Sequence, residues 1–404
     1  MRNSHPIPPK GLSLAALLLS VLPCSGQAPP QPYAVIPRDA VNYSGPGRDQ
    51  GHDLQGSEIR IGLLASLTGN EKEEDAALVQ AAQLAAEDEA ATPLPGGRRL
   101  VVVPRDQNGQ WGKASKEVVH LTFDDQAVAI VTARDGGNAH LAEQIGNKVG
   151  IPILTLSTDP TTTETNLPWI FRLGPADSQQ ARSFARDIYI ERRLKQVILV
   201  TENDHDGRIG GDEFLKAARQ LNATPPAGIT VDPADFKPDS IIKRIVAEKA
   251  EAVVLWTGHR TAASMVSRLL EEGLAVPVYL CQKATRGSFE ESAGCQCVRR
   301  ALTAAGNSAE KNLWVATFRL AESRQREGFE KRYRERTGAA PDLAAAQAYD
   351  AVRLLAAALR RSGPNRTRLR DALAEVSDYS GASGIISFDH AGNDLRDVIL
   401  TRLP

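Results

Sequence analysis

Short runs of Ile, Val and Leu alternate along this chain with longer stretches in which apolar residues recur at helical spacing. The first run, residues 59–65, ends in Ser66-Leu67-Thr68-Gly69 and is followed by an acidic stretch, 70–75. Over residues 76–90, Ala77, Leu78, Ala81, Ala82 and Ala85 share one helical face. The unit of strand, polar loop and helix then repeats. Residues 99–103 predict a second strand with a helix over 112–123, residues 127–131 a third with a helix over 139–149, and residues 151–155 a fourth. Runs that are apolar throughout suit strands covered on both faces, so the alternation predicts a parallel sheet between helices.

The pattern starts afresh beyond residues 168–177. It predicts a helix over 178–192, a strand over 196–201, a long polar loop over 202–211 and a helix over 212–221. A strand over 252–256, a helix over 261–272 and a strand over 276–280 follow. This is a second α/β lobe. Two such lobes leave a cleft between them, and loops at the carboxyl ends of the strands face it.

The segment before residue 58 has a different character. Arg2 and Lys10 precede an apolar run over 11–22 that is too short to span a bilayer, which predicts an export signal over residues 1–28. Val21-Leu22-Pro23-Cys24 loosely resembles a lipoprotein cleavage box, with Pro23 where a small residue is usual; the alternative is ordinary cleavage near residues 26–28. Residues 29–57, rich in Pro and Gly, read as an extended linker. The expected location is periplasmic or extracytoplasmic, with Cys24 as the one possible membrane attachment.

Composition adds exclusions. With 42% hydrophobic and 24% charged residues and a net charge of −1, the chain is an ordinary globular one and lacks the basic excess of a nucleic-acid binder. Past the signal stand Cys281, Cys295 and Cys297. Export permits a disulfide, and Cys281 with either of the others would close a short loop. No His or further Cys falls at zinc-site spacing, so neither metal nor cofactor is expected. Zinc-protease, phosphate-loop, Gly-x-Ser-x-Gly and dinucleotide motifs do not occur, which speaks against an enzyme.

The order of the blocks resembles the type I periplasmic binding proteins, in particular the branched-chain amino-acid group of ABC transporters. The residues that carry it are IRIGLLASLTG (59–69), IPILTLSTDPTTT (151–163), PWIFRLGPAD (168–177), ILVTENDHDGRIGGDEF (198–214), AVVLWTGHRTAASMVSRLLEEGL (252–274), AQAYDAVRLLAAAL (346–359) and FDHAGND (388–394). The resemblance implies two Rossmann-like lobes joined by three crossings, at 168–177, 314–321 and near 381–387. Lobe I would be 58–174 plus 319–382, and lobe II 175–318 plus 383–404. It implies a receptor that closes on a small polar ligand, amino-acid-like or amide, and delivers it to an ABC permease.

The resemblance also places ligand residues. Ser157 and Thr158 match hydroxyl positions after the fourth strand. Asp135 or Gly136 falls where a Ser is usual. Glu74 and Asp206 fall near aromatic positions, and Lys283 at or beside an acidic one. Gly258 replaces a frequent Tyr, and Tyr349 matches an aromatic on the returning helix. Trp111 is a further cleft candidate, whereas Trp256 is expected in the core. Together the charges predict an acidic site with one basic group, suited to a cationic ligand. Two other functions fit the same chain: a module reporting its ligand to a receptor or kinase, and an enzyme using Asp135, Asp206 and His205 as acid and base.

Overall fold

The computed structural model describes residues 54–108, 112–165, 167–285, 312–318 and 323–402. The export signal, Cys24, most of the linker, Trp111, Cys295 and Cys297 lie outside the described residues.

The first lobe grows from five strands: β1 (Glu58–Ala65), β2 (Arg99–Asp106), β3 (Ala129–Thr132), β4 (Ile153–Thr155) and β5 (Ile170–Arg172). They pair in parallel in the order β2-β1-β3-β4-β5, so β1 is an interior strand, with Gly62 between Val103 and Ile130. Helices α1 (Lys72–Glu89), α2 (Lys113–Phe123), α3 (Gly136–Val149) and the short α4 (Thr161–Glu164) make the connections.

The second lobe begins with α5 (Asp177–Ala185), which runs on through a π-helical turn at Arg186–Glu191. Strands β6 (Val197–Glu202), β7 (Ala227–Val231), β8 (Ala252–Trp256), β9 (Val278–Leu280) and β10 (Leu313–Phe318) follow, with α6 (His205–Gln220), α7 (Pro238–Ala247) and α8 (His259–Glu271) among them. The chain then returns to the first lobe through α9 (Arg324–Thr337), α10 (Leu343–Ser362), α11 (Arg366–Ala374) and the hairpin β11 (Tyr379–Gly381) and β12 (Gly384–Ile386). It ends in β13 (Val398–Arg402), which pairs antiparallel with β10 at the edge of the second sheet, β13-β10-β9-β8-β6-β7.

Each lobe has its own core. Leu63, Leu78, Val131 and Leu154 pack with Ala348, Val352 and Leu355 in the first. Ala81, Ala82 and Ala85 on α1 and Ala345, Ala348 and Ala351 on α10 are small enough for the two helices to lie close together. Phe184, Val200, Phe214, Val254, Trp256 and Tyr279 fill the second core, with the Phe184 ring edge-on to both Trp256 and Tyr279. Trp256 is thus in the core, as expected.

Two differences from the sequence reading concern the approaches to the cleft. The predicted loop over 202–211 is mostly the start of α6, with Asp204 as its N-cap accepting a hydrogen bond from the Gly207 amide at 2.7 Å. The glycines that suggest a loop are there for packing. A Cβ on Gly210 would lie 1.7 Å from Trp256 Nε1, and one on Gly211 2.7 Å from Thr201. The third crossing also lies later than 381–387. Ile386 and Phe388 belong to the first core, where Phe388 meets Phe171 with ring centroids 5.3 Å apart. The chain leaves the first lobe after them, past Gly392, whose carbonyl accepts from the Arg172 amide at 2.8 Å. Between β5 and α5 the chain runs over residues 173–176, and the Asp177 amide donates to the Thr158 carbonyl at 2.7 Å.

Candidate ligand cleft

Strand ends of both sheets bring polar loops to one cleft. On the first lobe, fully buried Ser157 is fixed from both sides. Its amide donates to Thr155 Oγ1 and its hydroxyl accepts from the Asp159 amide, both at 3.1 Å. Asp159 is itself turned by Thr161, whose amide and hydroxyl bond Asp159 Oδ1 at 2.8 and 2.6 Å. Next to it α3 begins. Asp135 is its N-cap, accepting from the Asn138 amide at 2.6 Å.

The second lobe reaches across at three points. His205 Nε2 lies 2.7 Å from Asp159 Oδ2. Asp206 Oδ1 accepts from the Gly136 amide at 3.0 Å. His259 Nε2 lies 3.0 Å from Glu74 Oε1, with the Arg260 guanidinium 3.9 Å from the same oxygen. The Gly136 contact requires glycine in a plain steric sense, since a Cβ there would come within 2.7 Å of Asp206 and 3.0 Å of Asp159. Behind these contacts, Lys283 is buried between Glu202, at 3.0 Å, and Asp204. Glu202 also accepts from Thr261 Oγ1 at 2.6 Å. Gly258 precedes α8, where a Cβ would stand 3.3 Å from the Glu202 carboxylate.

Burial alone would raise the carboxyl of Asp159, but bonds from His140, His205 and Thr161 outweigh it and hold the group far below the usual carboxylate range. Asp159, and then Glu143, raise His140 to about 9 against the effect of burial. The bond to Asp159 likewise raises His205. Desolvation would raise Glu74, but the His259 bond, a backbone hydrogen bond and the nearby charges of His259 and Arg260 together lower it.

Of the residues singled out in the sequence, Glu74, Gly136, Ser157, Thr158 and Asp206 meet along this line of contacts, with Gly258 and Lys283 joined to it through Glu202. Three expectations need correction. Tyr349 does not face the cleft: its hydroxyl bonds Asp88 at 2.6 Å and its ring packs on Phe329 with centroids 4.5 Å apart, inside the first lobe. Asp135 is an exposed cap and not a desolvated charge. The acidic cleft also has more than one basic group, and its charges are partnered: His259 and Arg260 stand at Glu74, the Gly136 amide bonds Asp206, and Lys283 pairs with two carboxylates. Cys281 is a free, fully buried thiol whose Sγ faces the Thr257 carbonyl at 3.8 Å; burial pushes it up to about 12. Both partners expected for it lie outside the described residues. Sequence reasoning passed over Asp159, His140, His259 and Glu202. Asp159 and His259 stand inside quoted motifs, after Ser-Thr and Thr-Gly at strand ends, and that position was the available signal.

Two parallel α/β lobes linked by three crossings, with loops of both meeting in one cleft, define a two-lobe binding protein. A family model described as periplasmic binding protein matches residues 58–397, and the chain belongs to that family. It is similar to an amino acid binding protein of Pseudomonas aeruginosa, 25% identical over 221 residues. That match covers 54% of this chain, and the chain spans 59% of that relative's length. Among solved structures, the leucine binding protein LivK of Thermotoga maritima superposes with a TM-score of 0.73 at 18% identity, covering 85% of this chain and 95% of that one. A solute binding protein of an ABC transporter from R. palustris, in complex with benzoate, gives 0.73 at 21% identity, covering 86% and 93%. At these identities the structures bear on the fold.

Proposed function

We propose that this chain is the extracytoplasmic solute-binding receptor of an ABC transporter. Its lobes close on a small polar ligand, amino-acid-like or amide, and the closed form is read by an inner-membrane permease. The observation that carries this reading is the direct bonding of loops from opposite lobes, Gly136 to Asp206 and Glu74 to His259. A ligand that touches both lobes stabilises the closed form by its difference in affinity for the closed and open states. Ser157, Thr158, Gly136, Glu74, Asp206 and Gly258 are the proposed contacts, with Lys283 holding Glu202 and Asp204 in place. Among the described residues, Glu74 Oε2 and the Thr257 hydroxyl are buried without a hydrogen-bond partner, one on each lobe. A buried polar atom left unmet costs about 1–3 kcal/mol, so the ligand is expected to offer at least one donor.

A thermal-shift screen over amino acids, amides and small aromatic acids tests this, since a ligand bound only by the folded state raises the melting temperature. One class should give a saturable rise that Glu74→Gln reduces. A flat response across the panel at millimolar concentration, or turnover of any member, would count against a receptor.

A further inference from the structure

We propose that His140, Asp159 and His205 form a site for one divalent late-transition-metal ion of the Zn2+ class, held across the cleft. His140 comes from α3 and Asp159 from the loop after β4, both in the first lobe; His205 opens α6 in the second. Their ligand atoms all lie within 4.8 Å of one another. Both imidazoles point Nε2 at the same oxygen, Asp159 Oδ2, at 3.3 Å from His140 and 2.7 Å from His205. Around a tetrahedral zinc with bonds near 2.0–2.2 Å, ligand atoms stand about 3.4 Å apart, so the cluster needs only a small adjustment. Two imidazoles and one carboxylate form a donor set suited to zinc, and they leave a fourth position open.

The surroundings orient each ligand. Glu143, 2% exposed, lies 3.0 Å from His140 Nδ1 and so directs Nε2 to the site, as carboxylates do behind metal-bound histidines. The Thr161 amide and hydroxyl occupy Asp159 Oδ1, leaving Oδ2 for the ion. The Thr161 hydroxyl also lies 2.8 Å from His140 Nε2 and keeps its bond to Asp159 when that nitrogen turns to the metal. Gly136 has no side chain to fill the space, where a Cβ would meet both Asp159 and Asp206, and Asp206 adds further negative charge there. The three residues are far apart in sequence, so no spacing motif announces them. An ion here ties one lobe to the other through this chain's own side chains and does not depend on the organic solute.

The test uses the full mature chain, stripped with chelator and titrated with zinc chloride alone by calorimetry, with melting temperature followed in parallel. One Zn2+ should bind per chain with a dissociation constant in the micromolar range or tighter, and the melting temperature should rise. His140→Asn and His205→Asn should each weaken binding by about tenfold or more. His120→Asn should leave it unchanged, because His120 sits on the surface beside Asp124. Circular dichroism checks the fold of each variant. His205, with 36% of its side chain exposed, is the safer substitution and decides if the His140 variant does not fold. Absence of saturable one-to-one uptake by the unaltered chain, or wild-type affinity in His205→Asn, overturns the site. Neither result touches the solute screen, which runs without metal.

Discussion

At Gly210 one hydrogen atom decides how closely α6 can lie against β8. Alanine there would gain about 1 kcal/mol of helix propensity, yet its methyl would overlap the Trp256 indole. Gly210→Ala is therefore expected to destabilise the protein by about 3 kcal/mol, read as a lower urea midpoint with an unchanged slope. Asp135 gives the opposite kind of case. As a cap its oxygen is what matters, and Asn caps as well as Asp. Asp135→Asn should leave stability within a few tenths of a kcal/mol, whereas Asp135→Ala should cost about 1 kcal/mol. A loss of ligand affinity in Asp135→Asn with stability intact would restore a ligand role to this carboxylate. Single residues were the least legible part of the sequence. A run such as Gly207-Arg208-Ile209-Gly210-Gly211 reads as loop by local preference, and only the indole and the strand beneath it explain a helix.

Among the elements, the loop leaving β1 is tied to the end of β2 by one carboxylate. Asp106 accepts from the Leu67 amide at 2.9 Å, the Thr68 hydroxyl at 2.8 Å and Lys113 at 2.9 Å. Burial would raise its pKa, but the Lys113 bond and the others bring it to about 2. A carboxylate depressed on folding contributes stability that is fully present above about pH 4 and is lost as pH falls towards 2. Because the Asp106–Lys113 pair is part-exposed, the contribution is about 1 kcal/mol after screening. Asp106→Asn should then melt lower than the unaltered chain at pH 6, and the gap should narrow in melts as the pH falls from about 4 towards 2. Strands buried on both faces, such as β3 and β8, were legible because their residues are almost all apolar, and β1 was legible from its buried run over residues 61–65. β7 was not, since as an edge strand its positions alternate between exposed and half-buried, and α7 starts on Pro238, where the fixed ring suits a first helical turn. The end hairpin was legible as a motif, but its side of the crossing was set by Ile386 and Phe388 entering the first core.

For the molecule as a whole, the contact of His259 with Glu74 is a latch between bodies with separate cores. Truncating His259 leaves Glu74 buried with only the more distant Arg260 to answer it, at a cost of about 1–3 kcal/mol to the closed form. His259→Ala should therefore give a larger radius of gyration by small-angle scattering without ligand. An unchanged profile would mean that the latch does not hold the lobes. The two-lobe plan could be read from the restart of the strand–helix pattern, whereas the latch could not. Glu74 and His259 lie in different lobes, and only the closed arrangement makes them neighbours.

The return of α10 to the first lobe has a consequence for how the chain matures. The second lobe is almost one uninterrupted stretch and lacks only β13 until the end. The first has its sheet complete at β5, yet one wall of its core is α10, which arrives only after the whole of the second lobe. Ordering contacts so distant along the chain is slow and leaves apolar surface bare meanwhile. A polypeptide emerging from its amino end would thus begin one lobe first and finish it last, with Leu78, Val131 and Leu154 waiting for their cover. A chaperone acting on the nascent chain would find its substrate in that unfinished half, and a chain cut after β10 should keep near-native structure in the second lobe alone.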